Sequence, residues 1–216
     1  MAKTYEMTVH EALAELKVLA ARIDKEINKA TFVTTNKHSN SKIDGKTIKE
    51  YEEGMKADLQ SINDLIARRS AIKRAVVLSN AKTEITIKDD KRELKMTVAE
   101  AIEYKAVGIA EKQHLLDKIT KQFLNAQYVL KTHAENIEKE ANEHIRQTFG
   151  SKDNIDVKAM ESVKKTFVDA NTIDLIDPNK VETVIKNLSD ENDFFNSKVD
   201  AAISVSNATT IITFTV

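Results

Sequence analysis

Three short strings fix where helices must begin. Thr8-Val9-His10-Glu11, Thr47-Ile48-Lys49-Glu50 and Thr97-Val98-Ala99-Glu100 each place Thr three residues ahead of Glu, at the head of a run of spaced apolar residues. A helix start leaves its first backbone N–H groups unpaired. In this arrangement the Thr and Glu side chains satisfy two of them reciprocally. Behind the first box, Leu13, Leu16, Leu19, Ile23 and Ile27 recur at helical spacing, which predicts a helix to about Ala30. Behind the second, Met55, Leu59, Ile62, Leu65, Ile66 and Ile72 carry a helix to about Leu78. Behind the third, Ile102, Ile109, Leu116, Phe123, Leu130 and Ile137 fall on a seven-residue repeat that ends near Phe149-Gly150. A strict heptad row keeps one edge of a helix apolar and suits packing in a bundle. Gly108 is the expected kink in it. Only one Pro and four Gly occur in 216 residues, so little else interrupts such helices.

Between these helices the pattern changes. Residues 31–45 are polar and read as a loop, with Phe32-Val33 able to form a short strand. Thr83, Ile85 and Ile87 alternate with polar neighbours, the mark of a half-buried strand, and residues 93–96 can return beside it after Asp89-Asp90-Lys91. After Gly150 a helix is expected over 156–170, carrying Val157, Met160, Val163 and Phe167 on one side. Asp177-Pro178 supplies a helix-starting pair for a last helix that runs to the final strand.

Two landmarks recur in the same order. Thr8-Val9-His10-Glu11-Ala12 returns as Thr97-Val98-Ala99-Glu100-Ala101, and Ser79-Asn80-Ala81-Lys82-Thr83-Glu84-Ile85 returns as Ser206-Asn207-Ala208-Thr209-Thr210-Ile211-Ile212. This predicts an internal duplication: a first helical repeat over residues 1–96 and a second, longer one over 97–216, together forming one compact unit. The expected fold class is mainly α, long amphipathic helices in a bundle. A small sheet would be formed by the two repeat-related strands, with Leu94 to Met96 as a third member.

Charge and composition remove several functions. Lys and Arg number 33 against 34 Asp and Glu, without the basic excess that general nucleic-acid binding needs. Aromatic residues are 5% and Trp is absent, which disfavours base-stacking platforms. Without Cys there are no disulfides, thiol nucleophiles or cysteine-bound zinc. The opening residues lack a secretion pattern, and no apolar run approaches the ~20 residues of a membrane span. The expectation is a cytoplasmic protein, in a host cell's cytoplasm if phage-encoded.

Candidate sites are few. Glu111-Lys112-Gln113-His114 has di-iron spacing but no second copy, so no metal, cofactor or catalytic residue is expected. Ser79, Asn80 and Thr83 with Ser206, Asn207 and Thr210 can line a polar, hydrogen-bonding pocket where the repeats meet. Alternatively, Asn80 and Asn207 end their helices in the left-handed conformation and the hydroxyls satisfy the turns. Arg68, Arg69 and Lys73 form a basic cluster on one helix, suited either to a phosphate or carboxylate or to a solvated helix end.

The opening Thr8 to Leu19 with Arg22-Ile23, together with Ser79-Asn80-Ala81 and Thr97 to Ala101, resembles an uncharacterised family of helical proteins from bacteria and their phages. The resemblance covers the first half of the chain best and implies a helical fold and a phage setting, with no activity. Three readings of function follow. The first is a non-enzymatic homo-oligomer that sequesters a small anionic, nucleotide-like signal of host defence. The second is a structural or assembly protein built on a helical bundle. The third is an inhibitor docking a helix face on a host enzyme.

Overall fold

A computed structural model describes residues 3–150 and 156–216. It is mainly helical, with small two-stranded antiparallel sheets. In chain order the elements are β1 (Thr4–Thr8), α1 (Val9–Lys29), β2 (Lys42–Ile43), β3 (Lys46–Thr47), α2 (Ile48–Asn80), β4 (Glu84–Lys88) and β5 (Glu93–Thr97). They continue with α3 (Val98–Glu103), a π-helical turn (Tyr104–Gly108), α4 (Ile109–Phe149), α5 (Val157–Asn171), α6 (Val181–Thr209) and β6 (Ile211–Thr215).

All three capping boxes form. Thr8, Thr47 and Thr97 are N-caps, and in each the Glu carboxylate accepts the Thr N–H at 2.7–2.9 Å while the Thr hydroxyl accepts the Glu N–H at 3.2–3.3 Å. Asp156 caps α5. Proline does not open α6 as expected. Residues 177–180 turn first, Lys180 takes a left-handed φ of 53°, and the Asp177 carboxylate reaches across to the Val181 N–H. The kink expected at Gly108 is a π-helical turn between α3 and α4. Phe32 and Val33 lie in exposed irregular chain, and the local pairing falls instead at β2–β3. There Asp44 and Gly45, both with positive φ, make the tight turn.

The strand pairing departs from expectation. The two repeat-related strands do not share a sheet. β4 pairs with β5, as the return of residues 93–96 predicts, whereas β6 pairs with β1, each antiparallel. β1 carries no turn signal to set it apart, since its five residues abut the first capping box. Yet Tyr5 and Met7 alternate with polar neighbours as a half-buried strand should.

The chain forms two compact units, Met1–Ala106 with Phe195–Val216, and Val107–Phe194. The division does not fall at the 96/97 boundary expected from the recurring motifs, because β6 belongs with β1. In the first unit, Val9, Ala12 and Leu19 of α1, Ile72 and Val76 of α2, and Ile212 and Phe214 of β6 form one buried cluster. In the second unit, α5 packs along the far part of α4. There His144 stacks on Phe167 at 4.6 Å and Lys164 pairs with Glu138. Nearer its start, α4 meets α6 through Lys112–Glu191 at 2.6 Å and Gln113–Asn192 at 3.4 Å.

Candidate functional site

The basic cluster is dispersed by its own helix. Arg68 is half-buried and engaged: its Nε donates to Glu15 of α1 at 2.5 Å, and its guanidinium lies 4.5 Å from the Tyr5 ring centroid and 5.5 Å from that of Phe214. Tyr5 and Phe214 stack on each other across β1–β6, so Arg68 seals the sheet that joins the two ends of the chain. The hydrogen bond with Glu15 holds the Arg68 pKa above its usual value. Arg69, one residue on, is exposed and lines a groove between α1 and α2 with Ile23, Asp24, Ile27 and Ile66. Lys73 is exposed.

The Ser-Asn-Ala-x-Thr motifs serve the backbone. Asn80 ends α2 and Asn207 lies inside α6; neither is left-handed, and Asp44 and Lys180 are the non-glycine residues with positive φ among those described. The Ser79 carbonyl accepts the Thr83 N–H at 2.8 Å, and the Ser206 carbonyl accepts that of Thr210 at 2.9 Å. The Ser79 and Thr83 hydroxyls are 3.4 Å apart. Ser206 is buried. Thr83 and Thr210 then offer their carbonyls to Val98 and Val9, on different sheets. The motifs thus tie a helix end to a neighbouring helix start.

A different feature, on the second unit, emerges from the packing. Ile119, Phe123 and Ala126 of α4, Val181 and Val184 of α6, and Leu175 and Ile176 of the segment between α5 and α6 line a cleft of about 550 Å3. The connecting segment is held at both ends. Thr172 donates its hydroxyl and its N–H to the Val168 carbonyl, and both Asp177 oxygens accept the Val181 N–H, at 2.9 and 3.1 Å. Between these anchors Ile176 stands 86% exposed, beside a cleft of its own chemistry. On the other flank of α4, Leu116, Leu124 and Ile185 line a shallower depression of about 530 Å3. Leu124, Tyr128 and Val129 of the same helix are exposed as well.

Chemically this region is a surface for apolar contact. The Asp177 carboxylate in the cleft wall is committed to the helix start. Gln122 and Asn179 are the other polar side chains lining it that can donate or accept. Among the described residues no group of three or more His, Asp and Glu could hold a metal. Glu111 and His114 are both exposed, and the Nε2 of His133 and the Oδ1 of Asn192 are buried without a hydrogen-bond partner. No described helix is long and apolar enough to cross a membrane.

The cleft was legible only in part. The heptad reading of α4 contains Phe123, but Leu175 and Ile176 sit in a stretch with no period to mark them. Comparison with protein-family models, with curated proteins and with solved structures finds no match to this chain.

Proposed function

We propose that this chain is a non-enzymatic assembly protein that associates with copies of itself through the apolar cleft and flank of its second unit. The observation that carries the reading is Ile176, a large aliphatic side chain held almost wholly in water on an anchored segment, next to an apolar cleft of about 550 Å3. Full exposure of such a side chain forgoes roughly 1.5–3 kcal/mol of burial. Ile176 is part of the cleft's own wall, so two copies related by a two-fold axis would each set that wall against the other's cleft, as isologous interfaces do.

This favours the structural reading over sequestration of a small anion. An anion site calls for convergent, uncommitted donors, whereas Arg68 is paired with Glu15 and Arg69 faces a different groove. A phage setting remains part of the proposal through the sequence resemblance. The test is sedimentation of the full chain over a range of concentrations, beside Ile176→Asp. Association that the substitution abolishes, with unchanged helicity, supports the reading. Protein that is monomeric throughout, or whose association ignores Ile176→Asp, refutes it.

A further inference from the structure

Within the unit that holds both chain ends, two assemblies repeat one another residue by residue. In the first, Met7 faces Ile212 and Tyr5 faces Phe214; in the second, Met96 faces Ile85 and Leu94 faces Ile87. In both, the N–H opening the capped helix donates to the carbonyl of the motif threonine, Val9 to Thr210 and Val98 to Thr83, at 2.9 Å each. Burial agrees at the positions that line both sheets and both helix starts. Val9 and Val98 are each 1% exposed, Ala12 and Ala101 0%, Ile72 and Val199 0%, and Ile212 and Ile85 5% and 6%.

The correspondence extends to both extremes. Glu15 and Tyr104 hold the same place after their capping threonines, and Arg68 and Phe195 the same place before their motif serines. The first pair is a salt bridge at 2.5 Å; the second is an edge-to-face ring contact at 4.8 Å. At the open end of the sheets, Val216 donates its N–H to the Lys3 carbonyl at 3.1 Å, and Asp89 donates to Arg92 at 2.9 Å in the same register. Where one assembly has a hairpin turn, the other has the chain's two ends.

The connectivity crosses between them. α2 packs Ile72 and Val76 into the β1–β6 core, yet its own following strand, β4, pairs with β5. β6, which completes the first core, follows α6. We propose that residues 3–89 and 92–216 are quasi-equivalent halves that complete each other by exchanging their last strands. The accepting edges β1 and β5 are then interchangeable sites for one strand pattern, Ser-Asn-Ala-x-Thr-x-Ile-x followed by Ile or Phe. The division falls in the Asp89–Arg92 turn and not at 96/97, because the strand before each capping threonine belongs to the half that follows it.

A circular permutant tests this on the whole fold. It joins Val216 to Lys3 through Asn-Gly, which suits a two-residue hairpin, and opens the chain between Asp90 and Lys91. The expected result is parental helicity with a Tm within about 5 °C, corresponding to one or two kcal/mol at this chain length. A permutant that is unfolded or melts more than about 15 °C lower, which is several kcal/mol on the same scale, overturns it. A second measurement leaves connectivity untouched: Glu15→Tyr and Arg68→Phe, singly and together, transplant the Tyr104–Phe195 pair into the other half. Quasi-equivalence predicts that the double variant regains more than half of the Tm lost by either single one. Losses that add or worsen contradict it.

Discussion

Arg68 shows how a residue that looks like a ligand-binding group becomes a structural one. A guanidinium is an ion, a planar donor and a stacking surface at once, and Arg68 uses all three, on Glu15, Tyr5 and Phe214. Its side chain is 26% exposed, which screens the ion pair only in part. Arg68→Ala should cost about 1–2 kcal/mol. That lowers the melting temperature by about 2–8 °C for a chain of this size, and scanning calorimetry reads it directly. No shift on adding nucleotides should accompany it. The basic cluster was visible in the sequence, but its meaning was not. Composition records that an arginine is present, and only β1–β6 pairing brings two rings from opposite ends of the chain beneath it.

The capping glutamates make a second argument at this scale. Backbone and hydroxyl hydrogen bonds from Thr8, Thr47 and Thr97 hold the carboxyls of Glu11, Glu50 and Glu100 below their ordinary pKa of 4.5. A carboxyl with a lowered pKa in the folded state contributes stability that is present above its unfolded value. That stability is lost as pH falls through the folded one. Stability should therefore decline as pH drops below about 4.5. The triple change of Glu11, Glu50 and Glu100 to Gln should flatten that part of the profile in urea titrations at stepped pH. An unchanged acid limb would show that the boxes do not contribute.

At the scale of elements, local signals were read well and distant ones poorly. Helix starts at Val9, Ile48 and Val98 were legible because a cap is written within a few consecutive residues, and the one at Val157 from its apolar spacing. The β4–β5 hairpin was legible because its turn is local, but β6 was mispaired and β1 missed, since that pairing is decided by what the helices bring together. A two-residue strand such as Lys42–Ile43 has no period to detect. Asn192 is another case where the element overrides the residue. It sits 4% exposed in α6 against α4, with its amide nitrogen on Gln113 and its carbonyl oxygen unpaired. Leaving a buried acceptor unsatisfied costs about 1–3 kcal/mol. Asn192→Leu should therefore raise stability by a comparable amount, at the expense of a contact that fixes how α6 registers on α4. A lower midpoint in chemical denaturation would instead show that the Asn192 oxygen is satisfied in solution.

For the whole molecule, two-helix layers have a simple consequence. Apolar positions of α4 that neither α5 nor α6 covers have no layer to bury them. Leu115, Leu124, Tyr128 and Val129 are exposed accordingly. Bundles ordinarily bury such faces against further helices, and a second copy supplies them without new sequence. Charge does not oppose this, because the net charge of −1 leaves little repulsion between copies.

Self-association through the second unit is read out by native mass spectrometry of gently purified protein, set against its denatured mass and against Ile176→Asp. The expected spectrum is a defined oligomer whose mass is a whole multiple of the chain and carries nothing else, and which Ile176→Asp reduces to the monomer. An oligomer bearing extra mass that denaturation releases, or a chain that stays monomeric at every concentration sprayed, would contradict it.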